Sequence, residues 1–300
     1  MRLVTFSTRK STGKDAHGPI VGAADGAGRV LDLSAIAPDM TGLIKGGAEA
    51  LSRVRARVAG AADGDWLAAD EVDLHAPIPR PARNILCVGK NYYAHAKEFQ
   101  GSGFDKSSAG TEAPDLPIIF TKPASSVIGP GVAIPSGLDA THSTDYEGEL
   151  AVVIGPGGRG IAAQDAPRHV FGYTIINDVT AREIQRRHVQ WFLGKSLDGF
   201  CPMGPAIVTA DEVGDVSALR LTTKVNGALR QDALIGQLIF DIPTLIETLS
   251  RGMTLEPGDI ISTGTPQGVG IGFKPPKYLQ PGDVVRIEID RLGVLENPIA

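Results

Sequence analysis

Two carboxylates stand at the mouth of a segment that can only be comfortable inside a sheet. In Asp145-Tyr-Glu-Gly-Glu-Leu-Ala-Val-Val-Ile154, Glu147 and Glu149 open an aliphatic, largely branched run whose length reads as a buried strand. Side chains on a strand alternate faces, so Glu147 and Glu149 are expected to point the same way. A second apolar run, Val170-Phe-Gly-Tyr-Thr-Ile-Ile-Asn177, ends in Asp178, and Thr180 to His188 then reads as a helix. A third carboxylate is thereby placed at a strand end.

Like charges on one face repel, and burying them unpaired is expensive, so this group wants open water or a cation. A purely oxygen donor set of Glu147, Glu149 and Asp178 suits Mg²⁺ or Mn²⁺, with Ca²⁺ as a substitute, better than zinc. A solvent-facing strand with ordinary surface acids carries the same Glu-x-Glu spacing. Spacing alone does not separate the two readings.

The remaining chain is rich in turns: 37 glycines and 21 prolines in 300 residues favour short strands over long helices. Residues 2–6, 19–23 and 28–33 suggest a small antiparallel sheet. A helical stretch from Asp39 to Ala59 follows, open to interruption at Gly46-Gly47. His75-Ala-Pro-Ile-Pro-Arg-Pro-Ala-Arg83 is held extended by its prolines. This divides the chain into a small amino-terminal α/β domain (1–74), a linker (75–83) and a larger domain (84–300). In the latter, 84–89 reads as a strand, 91–98 as a helix and 100–116, nearly without aliphatic side chains, as a mobile loop. Further strands are expected at 118–120, 219–225 and 238–240. A helix capped by Asp241 should reach Ser250, with Gly252 closing it. Leu255-Glu-Pro-Gly-Asp-Ile-Ile261 and Leu279-Gln-Pro-Gly-Asp-Val-Val285 repeat a tight turn into a strand. These periodicities describe a strand-rich α+β protein.

Composition narrows the function classes. The net charge of -5 disfavours nucleic acid, and the cluster Arg182, Arg186, Arg187 and His188 reads as a solvated helix face. Two isolated cysteines fit a reducing compartment; with no apolar run of spanning length and no leader-like amino terminus, a cytoplasmic protein without a membrane partner is expected. Gly155-Pro-Gly-Gly-Arg-Gly160 mimics a dinucleotide fingerprint, but Asp165 and Pro167 interrupt the helix it needs. Gly194-Lys-Ser196 lacks the upstream glycine of a phosphate loop. Thr263-Gly-Thr-Pro-Gln-Gly-Val-Gly270 offers hydroxyls and backbone N–H groups that could cradle a carboxylate. His95 and Glu98 share one helical face, where a carboxylate can orient an imidazole. His142, His169 and His188 lack ligand spacing.

Five motifs occur together and in order: Asp145-Tyr-Glu-Gly-Glu149, Asn177-Asp-Val-Thr-Ala-Arg182, Trp191-Phe-Leu-Gly-Lys195-Ser-Leu-Asp198, Gly204-Pro205 and Ser262-Thr-Gly-Thr-Pro-Gln-Gly-Val-Gly270. In this the chain resembles the fumarylacetoacetate hydrolase family over roughly residues 80–295. The resemblance implies a mixed β-sandwich roll in a homodimer and an ion held by Glu147, Glu149 and Asp178. It also implies a water-activating dyad of His95 and Glu98, Lys195 as an oxyanion or carboxylate partner, Gln185 and Thr265 as substrate ligands, and Arg182 as a buttress.

The activity implied is divalent-metal-dependent hydrolysis of a carbon–carbon bond in an acylpyruvate or related 2,4-dioxo acid, through a metal-stabilised enolate. Decarboxylation, tautomerisation or isomerisation of an oxaloacetate-like or unsaturated 2-oxo dioic acid is the alternative, because one fold hosts all of them. A non-catalytic metabolite-binding protein is the reading from another class. The partner expected is a small 2-oxo acid.

Overall fold

The computed structural model describes residues 1–9, 18–103 and 114–300. Its centre is the strand Gly148–Ile154, hydrogen-bonded on one side to Val170–Asn177 and on the other to Ile260–Ser262. Beyond Ile260–Ser262 lie Ile85–Gly89 and then Ile118–Lys122; beyond Val170–Asn177 lies Cys201–Thr209. The amino-terminal strand Arg2–Thr8 pairs with Cys201–Thr209 through Arg2 and Leu3, and Ile20–Ala24, Val30–Asp32 and Trp66–Leu67 continue the same sheet. The small amino-terminal sheet is therefore continuous with the large one. Residues 76–83 carry no regular structure, and Ala76 and Ile78 are buried.

A second sheet, ordered Ala228–Leu234, Arg220–Val225, Val284–Ile289, Gly293–Pro298, covers one face of the first. Leu150, Val152 and Ile154 join its Leu221, Ile287 and Leu295 in one core. Ala151 and Val153 join a second core with Leu43, Ile44 and Val54 of the helices Met40–Lys45 and Gly47–Ala59. A strand covered on both faces has no use for a polar side, which is why its pattern is continuous rather than alternating. The fold is a strand-rich mixture of α and β around a large mixed sheet.

Several local expectations hold for the reasons that prompted them. Asp39 caps the first helix by accepting from Gly42 N (2.7 Å), and Gly47, at φ +55, breaks it from the second. Asp241 caps Ile242–Ser250 by accepting from Thr244 N, although Arg251 rather than Gly252 ends that helix. The two Pro-Gly-Asp turns are chemical twins: Asp259 accepts from Glu256 N and Asp283 from Gln280 N, each at 2.8 Å.

Others need correction. Glu147 is not in the strand; it lies between Thr144–Asp145 and Gly148–Ile154, because Asn177 Oδ1 captures its N–H at 3.0 Å. Residues 238–240 form no strand but a single bridge, Leu238 to Tyr92, since the Asn91 side chain takes both Phe240 N and Phe240 O. The helix carrying His95 runs to Gly101, so the expected loop at 100–116 begins later; its residues 104–113 lie outside the described residues.

Candidate active site

The strand ends converge on one buried cluster. Glu147, Glu149 and Asp178 each turn a carboxylate oxygen to within 4.8 Å of the others. Asp178 follows the last residue of its strand, and its N–H donates to Glu147 O at 2.8 Å, which ties the two carboxylate-bearing segments together. Glu149 sits inside the strand, with Oε2 accepting from Ser262 Oγ (2.6 Å) and Gly264 N (3.0 Å).

Three cations surround the cluster. Lys195 Nζ bridges Glu147 Oε2 (2.8 Å) and Asp178 Oδ2 (2.7 Å), and Lys122 Nζ donates to Asp178 Oδ1 (2.7 Å). Arg182 Nη1 reaches Glu147 Oε1 at 2.6 Å, while its Nε donates to the buried Asp145. Sequence reasoning missed Lys122. Its signal was a lysine closing a strand that opens Ile-Ile-Phe, Ile118–Lys122, where a solvated side chain is the usual outcome.

Charge is distributed unevenly among the acids. Burial alone would raise Glu147, but Lys195 and Arg182 outweigh it and hold its carboxyl below the usual range. Glu149 has no cationic partner among the described residues. Burial, with Asp178 and Glu147 as like charges, pushes its carboxyl well above the usual range. Burial works against the charge of Lys195, yet Asp178 and Glu147 raise its ammonium above its ordinary value.

A small, partly open cavity of about 20 Å³ lies beside this cluster; Glu147, Arg182, Gln185, Lys195, Thr265 and His95 are among its lining residues. Lys195 and Gln185 arrive together because the short helix Phe192–Lys195 packs on Arg182–Arg187 at Gly194, where a Cβ would lie 2.5 Å from Gln185 N. His95 is buried, and its Nδ1 lies 3.2 Å from Glu98 Oε2. Glu98 stands behind it and accepts from Gly268 N at 3.0 Å. Phe99, Trp191 and Phe120, which also line the cavity, stack edge to face, with centroids 5.9 and 5.4 Å apart.

The glycine-rich loop does cradle carboxylates, but those of the chain itself. Gly264 N serves Glu149, Gly268 N serves Glu98, and Gly270 N and Ile271 N serve Asp145. Thr265 lines the cavity with its hydroxyl proton already donated to Gly148 O (2.9 Å) and its oxygen accepting from Gln231 Nε2.

The fumarylacetoacetate (FAA) hydrolase C-terminal family profile matches residues 84–300. The chain belongs to the fumarylacetoacetate hydrolase family. Within that family it is 54% identical, over 231 residues covering 76% of this chain and 73% of the relative, to the oxaloacetate tautomerase YisK of Bacillus subtilis (strain 168). Its structure aligns with a fumarylacetoacetate hydrolase from psychrophilic Exiguobacterium antarcticum over 99% of each chain, at 41% identity and a TM-score of 0.80. It also aligns with maleylpyruvate hydrolase from Sphingobium sp. SYK-6, in complex with manganese(II) and pyruvate, over 100% of this chain and 99% of that one, at 32% identity and a TM-score of 0.78. This is an enzyme family that includes hydrolases and a tautomerase, and one of its members binds manganese. The donor set of this fumarylacetoacetate hydrolase relative fits such an ion: three buried carboxylates, no nitrogen or sulfur, and one of the three short of a positive charge. No helix among the described residues is long and apolar enough to cross a membrane.

Proposed function

We propose that the protein is a Mg²⁺- or Mn²⁺-dependent tautomerase of a short, oxaloacetate-like 2-oxo dicarboxylic acid. The observation that carries this reading is the buried base at the cavity wall: His95, backed by Glu98, facing the same space as Lys195 and Glu147. The identity to an oxaloacetate tautomerase over three quarters of the chain supports it.

Glu147, Glu149 and Asp178 would hold the ion, which when bound supplies concentrated positive charge for the oxygens of a 2-oxo acid. The chain's own residues do the rest. With Glu98 ionised, Nδ1 of His95 keeps its proton and donates it to Glu98, so Nε2 is the basic nitrogen. Nε2 takes a proton from C3 as that C–H bond breaks, its electron pair forms the C2–C3 double bond, and the C2–O π pair moves onto oxygen. Lys195 stands beside the negative charge that develops there, and Gln185 and Arg182 orient the acid. His95 then returns the proton to the oxygen, giving the enol; the reverse sequence gives the keto form.

Enol-to-keto conversion of oxaloacetate, followed by the loss of enol absorbance, tests this. His95→Asn is expected to lower kcat at least about a hundredfold while Mn²⁺ binding is retained, as for a lost general base. Undiminished conversion would remove His95 from the chemistry. The full-length match to a maleylpyruvate hydrolase favours a second reading, carbon–carbon hydrolysis of an acylpyruvate, in which the same dyad would take its proton from water. Product analysis with acylpyruvates separates the two.

A further inference from the structure

Gly272 ends the short turn Gly270–Gly272, and the structure makes use of its missing side chain. A Cβ built there would overlap Oε1 and Cδ of Glu98 and lie 2.6 Å from its Cγ; apart from the chain neighbours, these are the three atoms nearest to it. The backbone does not call for a glycine here, because the φ of Gly272 is not positive. What the position requires is close approach of the Glu98 side chain.

The turn is the fixed partner in this contact. Gly270 N and Ile271 N donate to the buried Asp145 carboxylate at 2.7 and 3.0 Å, Arg182 Nε holds that carboxylate at 2.8 Å, and Lys277 N donates to Gly270 O at 2.9 Å. Glu98 has a flexible side chain and, among the described residues, lines a second cavity of about 410 Å³ with Lys97 and Lys274. A methyl group at 272 would therefore be accommodated by Glu98 swinging toward that space. The present position of the carboxylate is what the dyad depends on. Its Oε1 and Oε2 accept from Gly268 N at 3.0 and 3.2 Å, and Oε2 lies 3.2 Å from His95 Nδ1. The hydrogen bond at one imidazole nitrogen sets the role of the other, so moving the carboxylate frees both the ring and its tautomer.

We infer that Gly272 is a positioning residue for the base, a role that rests on the reading of His95 given above. Its missing side chain makes room for Glu98 to hold the Nδ1 proton of His95, which keeps Nε2 free to accept the substrate proton.

The test uses Mg²⁺-loaded protein, which is diamagnetic, at a pH where the imidazoles are neutral. Nitrogen–proton correlation spectra report which ring nitrogen carries the proton, and His95→Asn identifies the His95 signals. Wild type should show the Nδ1-protonated form, and Gly272→Ala should shift His95 toward the Nε2-protonated form. Gly272→Ala should also lower kcat for oxaloacetate by about ten- to a hundredfold, the scale of a misplaced catalytic group, with KM and Mg²⁺ affinity little changed. In a Glu98→Ala background, where no carboxylate remains to displace, the same substitution should cost nothing further. The same tautomer in wild type and Gly272→Ala, an equal loss of kcat in both backgrounds, or lost Mg²⁺ binding in Gly272→Ala would overturn the assignment. Absence of turnover in wild type would defeat the tautomerase reading alone, because the tautomer comparison needs no substrate.

Discussion

Glu149 carries the imbalance of the site. Its carboxyl is raised by burial and by the charges of Asp178 and Glu147, so the folded, metal-free chain holds that proton more tightly than the unfolded chain does. The sign follows directly: this contribution to stability is full below the ordinary carboxylate range and is lost as pH rises through the raised pKa. Metal-free protein in EDTA should therefore show a Tm that falls with pH above the ordinary carboxylate range, and Mn²⁺ should restore it by replacing the proton. Glu149→Gln keeps an acceptor for Ser262 and Gly264 while removing the charge. That variant should lose stoichiometric Mn²⁺ binding in a calorimetric titration and flatten the pH dependence of the metal-free Tm. Retained tight binding, or an unchanged slope, would take Glu149 out of the ligand set. Alanine is the poorer probe, because it would strand two buried donors as well.

At the scale of elements, the site depends on how closely two short helices approach. Arg182–Arg187 supplies Arg182 and Gln185, Phe192–Lys195 supplies Lys195, and Gly194 is where they touch. Gly194→Ala gains helix propensity, worth up to about 1 kcal/mol, but inserts a methyl group against the Gln185 backbone, and such overpacking costs about 1–3 kcal/mol. The packing term wins. The expected result is a lower Tm together with weaker binding of a 2-oxo acid, since Lys195 and Gln185 are displaced as a pair. A Tm at or above that of wild type, measured by calorimetry, would show that the helices have room. The glycine-rich loop works on the same principle: its N–H groups are spent holding Glu149, Glu98 and Asp145, so one loop sets the positions of an expected ion ligand, of the expected dyad's carboxylate and of the acid that anchors Arg182.

Across the whole molecule, the amino-terminal strands are the continuation of the sheet that carries the site. Arg2–Thr8 pairs with Cys201–Thr209, and Leu3, Val21 and Leu31 share a core with Ala151, Val153 and Ile207. Residues 84–300 span the family match, but removing residues 1–83 would strip one face of that core and expose the edge of Cys201–Thr209. An apolar, uncovered strand edge templates association. The truncated chain is expected to aggregate or form ill-defined oligomers in size-exclusion chromatography, whereas the full chain gives one defined species. A well-behaved, metal-binding fragment 84–300 would show that the amino-terminal unit is dispensable to the core.

What the sequence determined on its own was local chemistry with a short reach. The continuous apolar run 150–154, the Asp39 and Asp241 caps, the break at Gly46-Gly47 and the paired Pro-Gly-Asp turns are set by neighbours within a few residues, and they were legible for that reason. The ordered motifs led to the family, and with it to the three acids that the structure gathers. Only the tertiary structure decided what balances those acids. Lys122 lies 56 residues from the Asp178 it binds, and Lys195 lies 48 from Glu147, separations that no periodicity encodes. Backbone propensity and hydrophobic period act between near neighbours, whereas charge compensation and cavity shape belong to whichever distant segments the sheet order brings side by side.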